Sequence, residues 1–150
     1  MSPDLRVNSR IIAQVDSDVI HLEFTLPWPP SVNHYWRMYR GRMVIGARGR
    51  AYRIAAIQAI NEQRVPTERL GGLLQVGLLA YPPDRRRRDL DNLQKALLDA
   101  VVAAGVIEDD SNIDDLRVVR GRVLPGGQVA VVIRPCTSEL HFYTRRGLEP

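Results

Sequence analysis

One stretch, Asp84-Arg-Arg-Arg-Arg-Asp89-Leu-Asp91-Asn92-Leu-Gln-Lys95, limits the possible folds of this chain more than any other. Four consecutive arginines repel one another and must be solvated or met by counter-charge, so the segment belongs at the surface. Its flanks are the opposite. Residues 73–81 are nearly all apolar, the pattern of a strand covered on both faces. After it, Leu90, Leu93, Leu97, Val101 and Ala104 recur at helical spacing. The charged stretch is therefore the exposed junction between a buried strand and an amphipathic helix. A polyanion with a divalent cation would satisfy all of its charges, since arginines take phosphates and carboxylates take the ion.

The rest of the chain is compatible with that junction. Residues 19–26 alternate cleanly, with Ile20, Leu22, Phe24 and Leu26 on one face, which predicts a half-buried strand ended by Pro27. Residues 51–64 read as a helix with Ala51, Ile54, Ile57 and Ile60 toward the core. The helix that starts near Leu90 should be capped by Asp89 or Asp91 and end at Gly105. Residues 116–124 and 129–134 are expected to form a hairpin across Pro125-Gly-Gly-Gln128. A short strand is expected around residues 11–15. The expected architecture is α+β: a single domain over residues 19–135, with one mixed β-sheet and two main helices packed on it. Residues 1–18 form an N-terminal extension and 136–150 a C-terminal tail.

Charge narrows the partner. The chain of 150 residues carries a formal net charge of +4. Lys95 is its only lysine, so the other 20 of its 21 basic residues are arginine. Between Phe24 and Ile60 there is no acidic residue, while Arg37, Arg40, Arg42, Arg48, Arg50 and Arg53 all fall there, interleaved with Trp28, Tyr35, Trp36, Tyr39 and Tyr52. Arginines among aromatics suit phosphate contact and stacking on exposed bases, although any single aromatic there can equally pack on the core. No apolar run approaches a membrane span, there is no signal-peptide pattern, and Cys136 has no intrachain partner, so a reducing cytoplasm is expected.

Spacing alone leaves the acids partly unassigned. Asp91, Lys95 and Asp99 stack at i, i+4 along the exposed face of the helix. Asp89 and Asp91 can be caps or ion ligands. Among Glu108, Asp109, Asp110, Asp114 and Asp115 nothing in the spacing selects one. Asp110, Asn112 and Asp114 mimic the start of a calcium loop, but Asp115 and Gly121 stand where glycine and a bidentate glutamate are required, and that reading fails.

Several motifs together resemble the RusA family of Holliday-junction resolvases: 26–33 with its prolines and Asn33, Ala51-Tyr-Arg53, the stretch 84–95, and Gly105-Val-Ile-Glu-Asp-Asp110. The resemblance implies a homodimeric, magnesium-dependent endonuclease, with one or two ions per site, that cuts four-way DNA junctions by paired symmetric nicks. It puts the metal-binding carboxylates on Asp89, Asp91 and Asp110 and the essential lysine on Lys95. DNA contacts are expected from Asn33, Tyr35, Arg37, Arg40, Arg42, Arg48, Arg50, Arg53, Arg85, Arg86, Arg87 and Arg88. A non-catalytic branched-DNA-binding module is the alternative.

Overall fold

A computed structural model of the chain describes residues 21–136. The expected short strand at residues 11–15 and both terminal extensions lie outside them, apart from Cys136. Within them the strands are β1 (Leu22–Pro27), β2 (Trp36–Tyr39), β3 (Arg42–Ile45), β4 (Leu74–Tyr81), β5 (Ile113–Arg120) and β6 (Gln128–Pro135). The helices are α1 (Val32–Tyr35), α2 (Ala47–Glu62) and α3 (Gln94–Ala103), with short 3₁₀ turns at Asp91–Leu93 and Asp110–Asn112. A four-stranded mixed sheet runs in the order β1-β6-β4-β5, and β2 and β3 form a separate two-stranded ribbon. This is the α+β domain anticipated from the sequence.

The core lies between one face of the sheet and the helices. Leu22, Phe24 and Leu26 of β1 point into it, as their alternation requires. So do Leu74, Val76, Leu78 and Ala80 of β4, and Val129, Val131 and Ile133 of β6. Ala96, Leu97, Ala100 and Val101 of α3 close over them together with Tyr52, Ala56 and Ile60 of α2. Strand β4 was expected to be covered on both faces. Its other side chains, from Gln75 to Tyr81, are only half-buried, because both helices pack on one side. Its apolar character follows from its central place in the sheet rather than from two covering layers.

Two other expectations are corrected. Helix α2 buries Gly49, Tyr52, Ala56 and Ile60, a face rotated from the expected one, and Ile54 is 68% exposed. Close packing decides this: a Cβ at Gly49 would come within 2.7 Å of both Ile45 and the Tyr35 ring. Strands β5 and β6 do not form a hairpin. β5 pairs in parallel with one edge of β4 and β6 antiparallel with the other. Residues 121–127 cross the end of β4, donating from Gly121 N to Ala80 O (2.7 Å) and from Leu124 N to Pro82 O (2.9 Å). The connection from β4 through α3 to β5 is thus a parallel crossover. In chain order the junction stretch leads into that helix and the acidic turn follows it.

That helix ends as its glycine foretells. Gly105 adopts φ +79°, its N–H bonds to Val102 O (2.9 Å), and Val106 N–H bonds to Val101 O (3.2 Å). This is the paired bonding of a Schellman cap, which needs a left-handed residue at that point. Gly105→Ala is expected to lower stability by about 1–2 kcal/mol, measured by urea denaturation, since a Cβ is strained in that conformation. An unchanged midpoint contradicts the cap assignment.

Candidate active site

The arginine stretch begins with a clamp rather than a free cluster. Arg88 donates from Nη1 (2.5 Å) and Nη2 (3.0 Å) to the two Asp84 oxygens. Arg86 N–H donates to Asp84 Oδ1 (2.9 Å) as well. The Arg88 guanidinium also lies 6.0 Å from the Trp28 ring. Arg88 therefore helps to shape the loop, and its guanidinium is less free than its neighbours' to meet a phosphate. Arg85, Arg86 and Arg87 are exposed. With Asp89, Arg88 and Arg120 they line an open basin of about 330 Å³. Arg120, from the end of β5, bonds from Nη2 to Arg88 O (2.6 Å). Sequence reasoning did not pick it out, because only the parallel pairing of β5 with β4 brings it there.

The Arg88 guanidinium holds the Asp84 carboxyl down to about 2. An unfolded aspartate titrates at about 3.9. The folded value is the lower one, so the clamp's contribution is fully present above the unfolded value and is lost as pH falls through about 2. A ¹³C NMR titration of Asp84 is expected to give that low midpoint, and one near about 4 contradicts the clamp.

Asp89 and Asp91 do not cap the helix. The turn Asp91–Leu93 and α3 start without any side-chain capping bond; the two acids accept through their backbone carbonyls, Asp89 from Asn92 N–H (3.3 Å) and Asp91 from Gln94 N–H. Both residues are exposed. The capping alternative for these carboxylates is therefore removed.

Lys95 lies one turn further along. Its ammonium bonds to Asp99 Oδ1 (2.8 Å) and stands 3.5 Å from Asp110 Oδ2. The hydrogen bond to Asp99 pushes its pKa up, so it is an ammonium at neutral pH. Here the structure separates acids that spacing could not. Asp109 caps the second 3₁₀ turn by accepting from Ser111 N–H (2.8 Å), and hydrogen bonding from the Ser111 side chain, with that backbone bond second, lowers its pKa. Asp115 bonds to Gln75 and Arg117, which outweighs burial and leaves its pKa lowered. Asp114 is exposed on β5, and Asp110 is the acid that faces Lys95.

Asp89, Asp91 and Asp110 are all-oxygen donors of the kind a hard divalent cation takes. Their positions do not form a preformed cage: among the described residues no three acidic, histidine or cysteine side chains are gathered closely enough to hold one ion. The expectation that these three share an ion is not met by their placement here.

The basic segment before α2 is built, not loose. β2 and β3 form a hairpin closed by Arg40 (φ 48°) and Gly41 (φ 73°). Positive φ at both central residues is what a tight type I′ turn requires. Arg37 and Arg40 flank the Tyr39 ring at 5.5 and 5.4 Å. Arg37, Arg40, Arg42, Arg48, Arg50 and Asn33 are exposed, and Arg50 bonds to Ile45 O (2.6 Å). Tyr35 is not. It is 0% exposed, so its ring cannot stack on a base, and burial pushes its hydroxyl pKa up. Arg53 is drawn inward with it, donating to Tyr35 Oη (3.3 Å) while its Nε is buried without a partner.

The chain resembles known proteins over most of this region. Residues 27–134 match the family model described as endodeoxyribonuclease RusA. The crossover junction endodeoxyribonuclease rusA of Enterobacteria phage HK97 is 41% identical over 116 residues, covering 77% of this chain and 96% of that protein. That of phage 82 is 43% identical over 123 residues, and that of Escherichia coli K12 is 43% identical over 115; each match covers 77% of this chain and 95% of the relative. The fold, the basic surface and these matches define an endodeoxyribonuclease. Within that class, the chain belongs to the RusA family. No helix among the described residues is long and apolar enough to cross a membrane.

Proposed function

We propose that this chain is a Holliday-junction resolvase acting in recombination and repair. It cuts four-way DNA junctions by paired, symmetric nicks as a magnesium-dependent homodimer. The observation that carries the reading is the meeting of Lys95 with Asp110 across 15 residues, on the helix that begins beside the arginine basin. Lys95 adds a point charge at the attacked phosphate or orients the water. Arg85, Arg86 and Arg87 hold the flanking phosphates. Asp89, Asp91 and Asp110 are the candidate ion ligands, on the strength of the family resemblance. A magnesium ion held by these carboxylates would supply Lewis-acid stabilisation and an activated water.

The dimer follows from symmetry. A four-way junction is resolved by two opposed cuts, and one chain carries one set of these residues. Mapping nicks on a junction labelled on all four strands tests this. Paired cuts at symmetric positions are expected, and single unpaired cuts overturn it. The separated carboxylates favour one second reading, a branched-DNA-binding module that does not cut. It predicts tight binding that is indifferent to Asp89, Asp91 and Asp110.

A further inference from the structure

Lys95 reaches the acidic turn from an exposed helix face, and a lysine there ordinarily sweeps through many rotamers. This one is held from behind. Its ammonium bonds to one oxygen of Asp99 (Oδ1, 2.8 Å), and the Tyr35 hydroxyl donates to the other (Oδ2, 2.9 Å). The Asp99 side chain is 17% exposed and that of Asp110 40%. Tyr35 cannot drift, because its ring meets Trp36 edge-on at 5.1 Å and lies close against Gly49. Arg53 donates to the same hydroxyl and leaves its proton directed at Asp99.

We propose that Asp99 and Tyr35 are positioning residues that fix the Lys95 ammonium beside Asp110, with Tyr35 orienting the Asp99 carboxylate so that its free oxygen aims the lysine. Asp99 is the standing partner, shielded and tied to a buried hydroxyl. Asp110 sits on an exposed turn and is the exchangeable one. This division leaves Asp110 open to another cation without releasing the lysine. The catalytic use of the clamp rests on the function proposed above.

The sequence offers a probe. With one lysine in the chain, a ¹⁵N-lysine label gives a single side-chain ammonium signal by NMR. The full-length unaltered protein is expected to show that signal, protected from exchange with water. Tyr35→Phe keeps the ring packing and removes only the hydroxyl, so it should fold; melting curves check it and Asp99→Ala. The signal should weaken in Tyr35→Phe and vanish in Asp99→Ala. Single-turnover junction cutting should slow roughly tenfold in Tyr35→Phe, the size of one lost hydrogen bond. In Asp99→Ala it should slow about a hundredfold, the size of a mispositioned group. Junction affinity should hold in both. An unchanged ammonium signal in both variants overturns the clamp, as does a loss carried wholly by weaker binding. A parent protein that shows the protected signal yet never cuts a junction overturns the functional reading and the catalytic use of the clamp, while its signal still reports the clamp itself.

Discussion

Asp91→Asn protein is expected to bind a four-way junction as tightly as the parent and to cut it about a thousandfold more slowly, the scale of losing one essential charged group from a site. The change is nearly isosteric and removes only the negative charge. Asp91 is exposed and makes no capping bond, so neither the helix start nor the core depends on it. A structural role therefore predicts almost no effect, and a ligand role predicts a nearly dead enzyme. Binding should persist because the phosphate-facing charge lies on the arginines. Gel shift and single-turnover cutting on one junction separate the two quantities. If Asp91→Asn cuts at the parent rate, the carboxylate assignment is wrong.

Replacing Arg85, Arg86 and Arg87 together by Gln should have the opposite signature. Each arginine that neutralises a phosphate adds about −0.9 to the slope of log affinity against log salt, so three removed should flatten it by about 2.7. At about 0.1 M salt that corresponds to several-hundredfold weaker binding. The rate from a saturated complex should change far less. Arg88→Gln should behave differently, since Arg88 is bonded through both nitrogens to Asp84 and only 25% of its side chain is exposed. Its loss should loosen the loop with little change in the salt slope. A salt slope that stays put in the triple variant places the DNA elsewhere.

Local features of the fold were legible because local physics decides them. The alternation in β1, the helical spacing of α3 and the left-handed glycine at its end all depend on residues within a turn or two of one another. The buried face of α2 was not, because it depends on which side chains fit a neighbour. Ile54 is more apolar than Gly49, but only a glycine admits the Tyr35 ring. The partners of β5 and β6 escaped for a related reason. Both strands sit close in sequence, yet the unfilled edges of β4 draw them apart. The β2–β3 hairpin was hidden because arginine, an uncommon residue at positive φ, occupies its turn.

The site divides along the same line. The charged stretch and Lys95 stood out by composition and spacing. Spacing alone could not choose Asp110 among five acids; the family resemblance pointed to it, and in the structure Asp109 and Asp115 are bonded to other partners. Tyr35, read as a DNA contact because it lies among arginines, turned out to be an interior residue. Its bond to Asp99 spans 64 residues, a separation that no periodicity encodes.

The most direct measurement is cutting itself. The full chain is incubated at low salt with a synthetic four-way junction, or with linear duplex of the same sequence, each with magnesium and with a chelator. Opposed strands of the junction are expected to be nicked only when magnesium is present, and the duplex left whole. Tight junction binding with no magnesium-dependent nicking contradicts the account and leaves a basic protein that holds branched DNA without cutting it.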